Sequence, residues 1–162
     1  MSTLEIRRVP REELEQAYSI VQEYYAAANV VARESREEFQ CDYFRDASGI
    51  WMATVDGNIA GCIALRTLPQ LGPRCGEIKR MYLRPQYRGQ GIAEALLRSL
   101  EIFAARCGYA ELYLDTAADM AAAARLYEKN GYKKCPRYNE NPQAAIFMKK
   151  RIASGGHGVP KK

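Results

Sequence analysis

Gly76-Glu77-Ile78-Lys79-Arg80-Met81-Tyr82-Leu83-Arg84-Pro85-Gln86-Tyr87-Arg88-Gly89-Gln90-Gly91 is the stretch from which the fold is read. Its first half is a strand over 77–84. The apolar residues Ile78, Met81 and Leu83 are spaced by three and then by two, whereas a regular strand alternates by two. One extra residue near Lys79 and Arg80 restores the parity, so the spacing predicts a β-bulge there. Pro85 ends the strand. Gly89 and Gly91 then open a helix predicted over 91–107, with Ile92, Leu96, Leu100 and Phe103 on one face and Gly108 as its C-terminal cap. Glycines at a helix start let backbone N–H groups approach a ligand closely, and a helix N-terminus favours anions. Arg88 adds a charged donor suited to phosphate. The turn therefore reads as a pyrophosphate cradle. It is not a dinucleotide fingerprint, which needs Gly or Ala where Glu94 stands, and it is not a P-loop, because no Gly-Lys-Ser/Thr follows.

Downstream, 110–116 (AELYLDT) alternates as a strand with Leu112 and Leu114 on one side. Strand, glycine turn, helix and strand make a βαβ crossover, which joins parallel strands with a right-handed connection. Upstream, 3–9 reads as a strand stopped by Pro10. Leu14, Tyr18, Val21, Tyr25 and Ala28 mark a helix over 10–31. Ser35 and Glu38 form a capping box that starts a second helix through Arg45. Strands at 50–55 and 59–67 flank the hairpin signal Asp56-Gly57-Asn58. After 116, Asp119 is the expected N-cap of a helix over 120–130 that Gly131 terminates. Strands at 132–135 and 144–151 close the chain around the loop PRYNENPQ. The order is βααβββαβαββ, an α/β (α+β) arrangement. One domain is expected over 1–152, with a flexible Gly- and Lys-containing tail over 153–162.

Length and composition agree. The 162 residues suit one domain, and 48% hydrophobic with 27% charged residues are ordinary globular values. No apolar run approaches a membrane span; Ile20 to Ala32 comes closest, and Gln22, Glu23 and Asn29 interrupt it. The N-terminus MSTLEIRRVP has no apolar h-region, so the expectation is a cytoplasmic protein without a membrane partner. A net charge of +5 fits a polyanionic small ligand. It gives nucleic acid little support, because no aromatic–basic interleave of the RNA-binding kind is present. Five scattered cysteines without a Cys-x-x-Cys are neither a disulfide framework nor a zinc motif, so no metal is expected. The only histidine, His157, lies in the tail. Acid–base chemistry must therefore rest on Glu, Asp, Tyr, Lys or Cys.

With both halves of the pattern in hand, segment 76–134 resembles the cofactor half of the GNAT acetyltransferase superfamily. The family motif [Q/R]-x-x-G-x-[G/A] is matched by Gln86-Tyr87-Arg88-Gly89-Gln90-Gly91, and Leu126 to Tyr132 (LYEKNGY) is similar to its LYxxxGF signature. The resemblance implies a mixed, mostly antiparallel sheet of about seven strands with a central βαβ crossover, flanked by four helices. It implies acetyl-CoA as co-substrate and a primary amine, on a small molecule or a protein, as acceptor; it admits a homodimer. Backbone groups of Met81, Tyr82 and Leu83 would pair with the pantetheine arm. Gln86 and the run Arg88, Gly89, Gln90, Gly91, Ile92, Ala93 and Glu94 would wrap the pyrophosphate. Tyr127 stands at the family's general-acid position, with helix packing as the plainer alternative. Glu77 stands where several members keep a general base, with a solvated ion pair to Lys79 or Arg80 as the alternative. Met120 replaces an Asn that many members use on the cofactor, and as a cofactor-binding residue it would offer the pantetheine an apolar contact in place of that hydrogen bond. Tyr138, Asn139 and Asn141 in the last hairpin loop are the candidate acceptor ligands, and Tyr24, Tyr25, Phe39 and Tyr43 would form the opposite wall. An acyl-CoA-binding regulatory module without turnover is the alternative function.

Overall fold

The computed structural model describes residues 1–152; the expected tail lies outside them. The chain runs β1 (Leu4–Arg8), α1 (Leu14–Ala27), α2 (Arg36–Tyr43), β2 (Gly49–Val55), β3 (Asn58–Thr67), β4 (Cys75–Leu83), α3 (Ile92–Arg106), β5 (Glu111–Ala117), α4 (Ala121–Lys129), β6 (Lys133–Lys134) and β7 (Ala144–Arg151). The seven strands form one sheet in the order β1-β2-β3-β4-β5-β7-β6. Every neighbouring pair is antiparallel except β4–β5. The crossover through α3 is what makes that pair parallel.

Strand alternation sorts the core into two layers. Trp51, Ala53, Ile63, Leu65 and Ile78 face a cluster with α3 residues Leu96, Leu97 and Leu100 and with Tyr127 of α4. Ile50, Met52, Cys62 and Ala64 face the other way, onto Val21 and Tyr25 of α1 and Phe39 and Tyr43 of α2. The central strands are buried on both faces, which is why they read as near-continuous apolar runs.

Local signals set most element ends. The Ser35 side chain accepts from the Glu38 amide while Glu38 returns a bond to the Ser35 amide, so the capping box is complete. Some expected ends differ: the first helix stops at Ala27 rather than near 31, and the second at Tyr43 rather than Arg45. The first helix opens as a short 3-10 turn over Arg11–Glu13 before α1 begins at Leu14. Asp119 does not cap α4; the N-cap is Met120, which offers no side-chain bond.

The bulge forms where the spacing places it. Cys62 pairs with Tyr82 and Ala64 with Lys79, so Arg80 and Met81 together oppose Ile63. Arg80 adopts φ 60, a left-handed conformation that costs a non-glycine residue about 1–2 kcal/mol. Beside the bulge the strands close tightly: a Cβ on Gly61 would stand 2.1 Å from the Tyr82 carbonyl oxygen, so only glycine fits.

Candidate active site

The sheet is split next to this bulge. The parallel ladder consists of Cys75–Glu111, Gly76–Leu112 and Glu77–Tyr113, and it stops there. Beyond it β4 runs on to Leu83 and β5 to Ala117 without pairing with each other. The Arg84 amide donates to the Ala60 carbonyl at 2.8 Å, so alternation turns the Leu83 amide the other way, into the gap. The Met81–Leu83 backbone is thus an unpaired strand edge that can accept an extended ligand as an added strand. The side chains divide differently: Met81 and Leu83 pack toward α3, whereas Tyr82 packs toward α1 and donates to Glu23 at 2.9 Å.

The glycine turn follows β4. Gly89 has φ 77 and Gly91 φ 82, and a Cβ built on either meets nothing within 4 Å. The amides from Gly89 to Glu94, through Gln90, Gly91, Ile92 and Ala93, find no backbone acceptor among the described residues. They are the orphan donors of the α3 N-terminus, and Gly89, Gln90 and Gly91 among them are exposed. The turn is braced from behind: Gln90 Nε2 donates to the Gln86 carbonyl at 3.2 Å, and Arg88 Nε to the Leu83 carbonyl at 3.0 Å. The carboxylate of Glu94 accepts from Asn130 at 3.2 Å, tying α3 to the end of α4. Met120 sits half-buried at the start of α4, after β5.

Glu77 lies where β4 and β5 part, and its side chain is 1% exposed. This replaces the solvated carboxylate expected as one alternative. Its main cation is neither Lys79 nor Arg80 but the cross-strand Arg66, whose Nε and Nη2 each lie 3.0 Å from Oε1. Oε2 accepts from the Tyr138 hydroxyl at 2.8 Å and from Asn139 Nδ2 at 3.3 Å. Asn139 also donates to Asp115 on β5 at 2.6 Å, and Asn141 donates to the same carboxylate at 3.3 Å. The three residues expected from the last hairpin loop therefore all converge on the gap. Gln143 holds that loop in place through bonds to Asn29 and Val31, so the α1–α2 connection is fastened to it.

Behind Arg66 lies a second charged layer. Arg66 Nη1 reaches Asp42 at 3.2 Å and Glu34 at 3.4 Å. Glu34 also accepts from Arg80 Nη2 at 3.1 Å and from the Tyr25 hydroxyl at 3.2 Å, and the Arg80 guanidinium lies over the Tyr25 ring. The bulge turns Lys79 and Arg80 to the same face, and the ion pair with Glu34 offsets the strain at Arg80. Burial and then the adjacent Asp42 carboxylate push the Glu34 pKa up to about 7, against a usual 4.5. Between those values the folded chain holds a proton that the unfolded chain has released. Stability therefore falls as pH rises through this window, by about 3 kcal/mol in all. Thermal melts from pH 5 to 8 should show this fall in the native chain and a flatter profile in Glu34→Gln; parallel profiles would contradict it.

Tyr127 projects from α4, 4% exposed, with its ring edge-on to Tyr132 at 5.5 Å. Its packing is real, but no described residue bonds its hydroxyl. Burial first, then the nearby Tyr24 and Asp115, raises its pKa above the usual phenol range, so it stays protonated at neutral pH. Tyr25, Phe39 and Tyr43 of the expected wall are buried core, and Tyr24 is half-buried against Tyr82. Arg66, Glu34, Asp42 and Asp115 were not singled out from sequence. Asp115 had a signal: in AELYLDT it falls on the face opposite Leu112 and Leu114. Arg66 becomes visible only once the register pairs it with Glu77.

Fold and cradle together define an α/β protein with unpaired amides at a helix start beside a split in its sheet. Residues 14–132 match the model of the acetyltransferase (GNAT) family, and the chain belongs to that family. An uncharacterised N-acetyltransferase of Schizosaccharomyces pombe is 35% identical over 96 residues, 58% of each chain. The human N-acetylaspartate synthetase is 37% identical over 86 residues, 53% of this chain and 28% of its own. The chain thus spans little more than half, or less, of these relatives. Among solved structures, a Staphylococcus aureus GNAT acetyltransferase superposes with a TM-score of 0.78 at 18% identity, covering 93% of this chain and 99% of that one. The PaiA N-acetyltransferase of Thermoplasma acidophilum, in complex with coenzyme A, gives 0.69 at 22%, covering 92% and 99%. Both confirm the expected fold.

Proposed function

We propose that this chain transfers the acetyl group of acetyl-CoA to the nitrogen of a primary amine by direct attack on the thioester. The observation that carries the reading is the split after Glu77–Tyr113, with the bare amides of 89–94 beyond one strand and a buried carboxylate at the apex. In this reading those amides hold the pyrophosphate, and the Met81–Leu83 edge takes the pantetheine arm. The acceptor comes from the α1–α2 face, between Glu77 and the loop of Tyr138, Asn139 and Asn141. Family membership and the coenzyme A held by the Thermoplasma neighbour support it.

The chemistry then follows. An amine of pKa ~10.4 is mostly protonated at pH 7, and uncovering the neutral form costs about 4–5 kcal/mol. Glu77 takes that proton on Oε2, since Arg66 occupies Oε1 twice. The nitrogen lone pair attacks the thioester carbon, and the Leu83 amide stabilises the oxyanion. As the C–S bond breaks, the sulfur takes the proton of Tyr127; the second proton, released from the nitrogen as the amide forms, restores the phenol, and Glu77 gives the first to solvent. The test is release of CoA thiol that depends on added amine and equals the acetylated amine formed. Binding of acetyl-CoA without such release over a broad amine panel would overturn the reading and leave a binding module.

Thiolates are weakly basic leaving groups, so the acid is worth less than the base. Tyr127→Phe is expected to lower kcat roughly 10- to 100-fold. The ring remains against Tyr132, so the melting temperature should hold. Unchanged kcat would remove Tyr127 as the acid, and a loss that tracks unfolding would make it packing.

A cytoplasmic setting is part of the proposal. Among the described residues, no helix is long and apolar enough to cross a membrane.

A further inference from the structure

Among the described residues, the acceptor side of the gap carries three cations, and two of them are spent. Arg66 gives its guanidinium to Glu77, Asp42 and Glu34. Arg80 gives its own to Glu34 and lies over Tyr25. Lys79 differs. Its Nζ stands 3.9 Å from Glu77 Oε2 and 4.0 Å from Asp115 Oδ2, beyond hydrogen-bond length. Those two oxygens already accept from Tyr138 and Asn139. No described residue accepts a hydrogen bond from Lys79, yet its side chain is only 11% exposed. An ammonium brings three donors, and those of Lys79 are not sealed from solvent, so a group entering the gap can reach them.

The position of this ammonium gives it a use. Glu77 belongs to β4 and Asp115 to β5, so Lys79 Nζ spans the strands just where they part. A simple amine entering there as an ammonium adds a second cation beside Lys79. A zwitterion matches the site instead: its ammonium meets the carboxylates of Glu77 and Asp115, and its carboxylate takes the unspent donors of Lys79. We propose that Lys79 binds a carboxylate carried by the acceptor, so that the acceptor is a free amino acid. This rests on the reading above that the Glu77 face is the acceptor side. Arg66 and Arg80 set the layer behind, and neither needs to leave its partners.

The experiment offers the common amino acids to the full chain with acetyl-CoA, each as the free acid and as its primary amide, and follows CoA release. The amide keeps size and shape but removes the anion. Its amine is also the easier to deprotonate, so chemistry alone favours the amide. The native chain should nevertheless prefer at least one free acid by roughly 10- to 100-fold in kcat/KM, the worth of a charged hydrogen bond. Lys79→Met should bring that ratio to within about threefold of unity, mainly through KM, and Lys79→Arg should keep most of it. Acetyl-CoA affinity by calorimetry should be the same in all three. Amides used as well as acids by the native chain overturn the proposal, as does a preference that survives in folded Lys79→Met. If that variant does not fold, the acid–amide comparison in the native chain decides alone. CoA release from simple amines but from no amino acid overturns this proposal and leaves acetyl transfer standing. No release from any amine, with acetyl-CoA bound, overturns both.

Discussion

Glu77→Gln is expected to lower turnover by about 10²- to 10³-fold while leaving acetyl-CoA affinity unchanged. Gln keeps the size and an oxygen for Tyr138 or Arg66 to bond, but it cannot hold a proton. The whole obstacle of a protonated amine then falls back on the solvent. Two features separate loss of a base from loss of a strut. The defect should shrink as pH rises toward the pKa of the amine, where the neutral nucleophile is already present. It should also exceed any loss of folded protein, because Arg66 retains Glu34 and Asp42 as partners. Melting temperature and a pH–rate profile on one preparation check both. A small, pH-independent effect would make Glu77 the structural counter-ion of Arg66 and nothing more.

Gly89→Val should weaken acetyl-CoA at least about tenfold, or about 1.4 kcal/mol. Gly89 holds φ 77, and a Cβ there enters open space rather than protein. In the proposed complex that space belongs to the pyrophosphate. A β-branched residue in left-handed backbone also carries about 1–2 kcal/mol of strain, which should appear as a lowered melting temperature. Calorimetric titration of the folded variant separates the two effects. Unchanged affinity would move the pyrophosphate elsewhere.

Much of this was legible because it is local. The Ile78, Met81 and Leu83 spacing revealed the bulge, and the turn at 86–91 announced the helix start. Both depend on residues next to one another. The charged layer was not legible for the opposite reason. Glu34, Asp42, Arg66 and Arg80 lie on three elements and a loop, and no spacing links them before the strands are registered. Glu77 shows the difference within one residue. Its place on the strand could be read, but its burial and its bond to Arg66 follow from the β3–β4 pairing. The same limit hid Lys79, which read as a surface partner for Glu77 and instead spans the two diverging strands. Asp119 failed as a cap because cap chemistry is a preference that tertiary structure can override.

The central claim is that the amides at the start of α3 and the free edge of β4 bind the coenzyme. Backbone amide chemical shifts during titration with coenzyme A test it residue by residue. The account predicts the largest changes at Gly89 through Glu94, together with Leu83 in the gap, saturating at one equivalent. Saturable binding with those amides unmoved, and the changes gathered on another surface such as the β6–β7 edge, would contradict it.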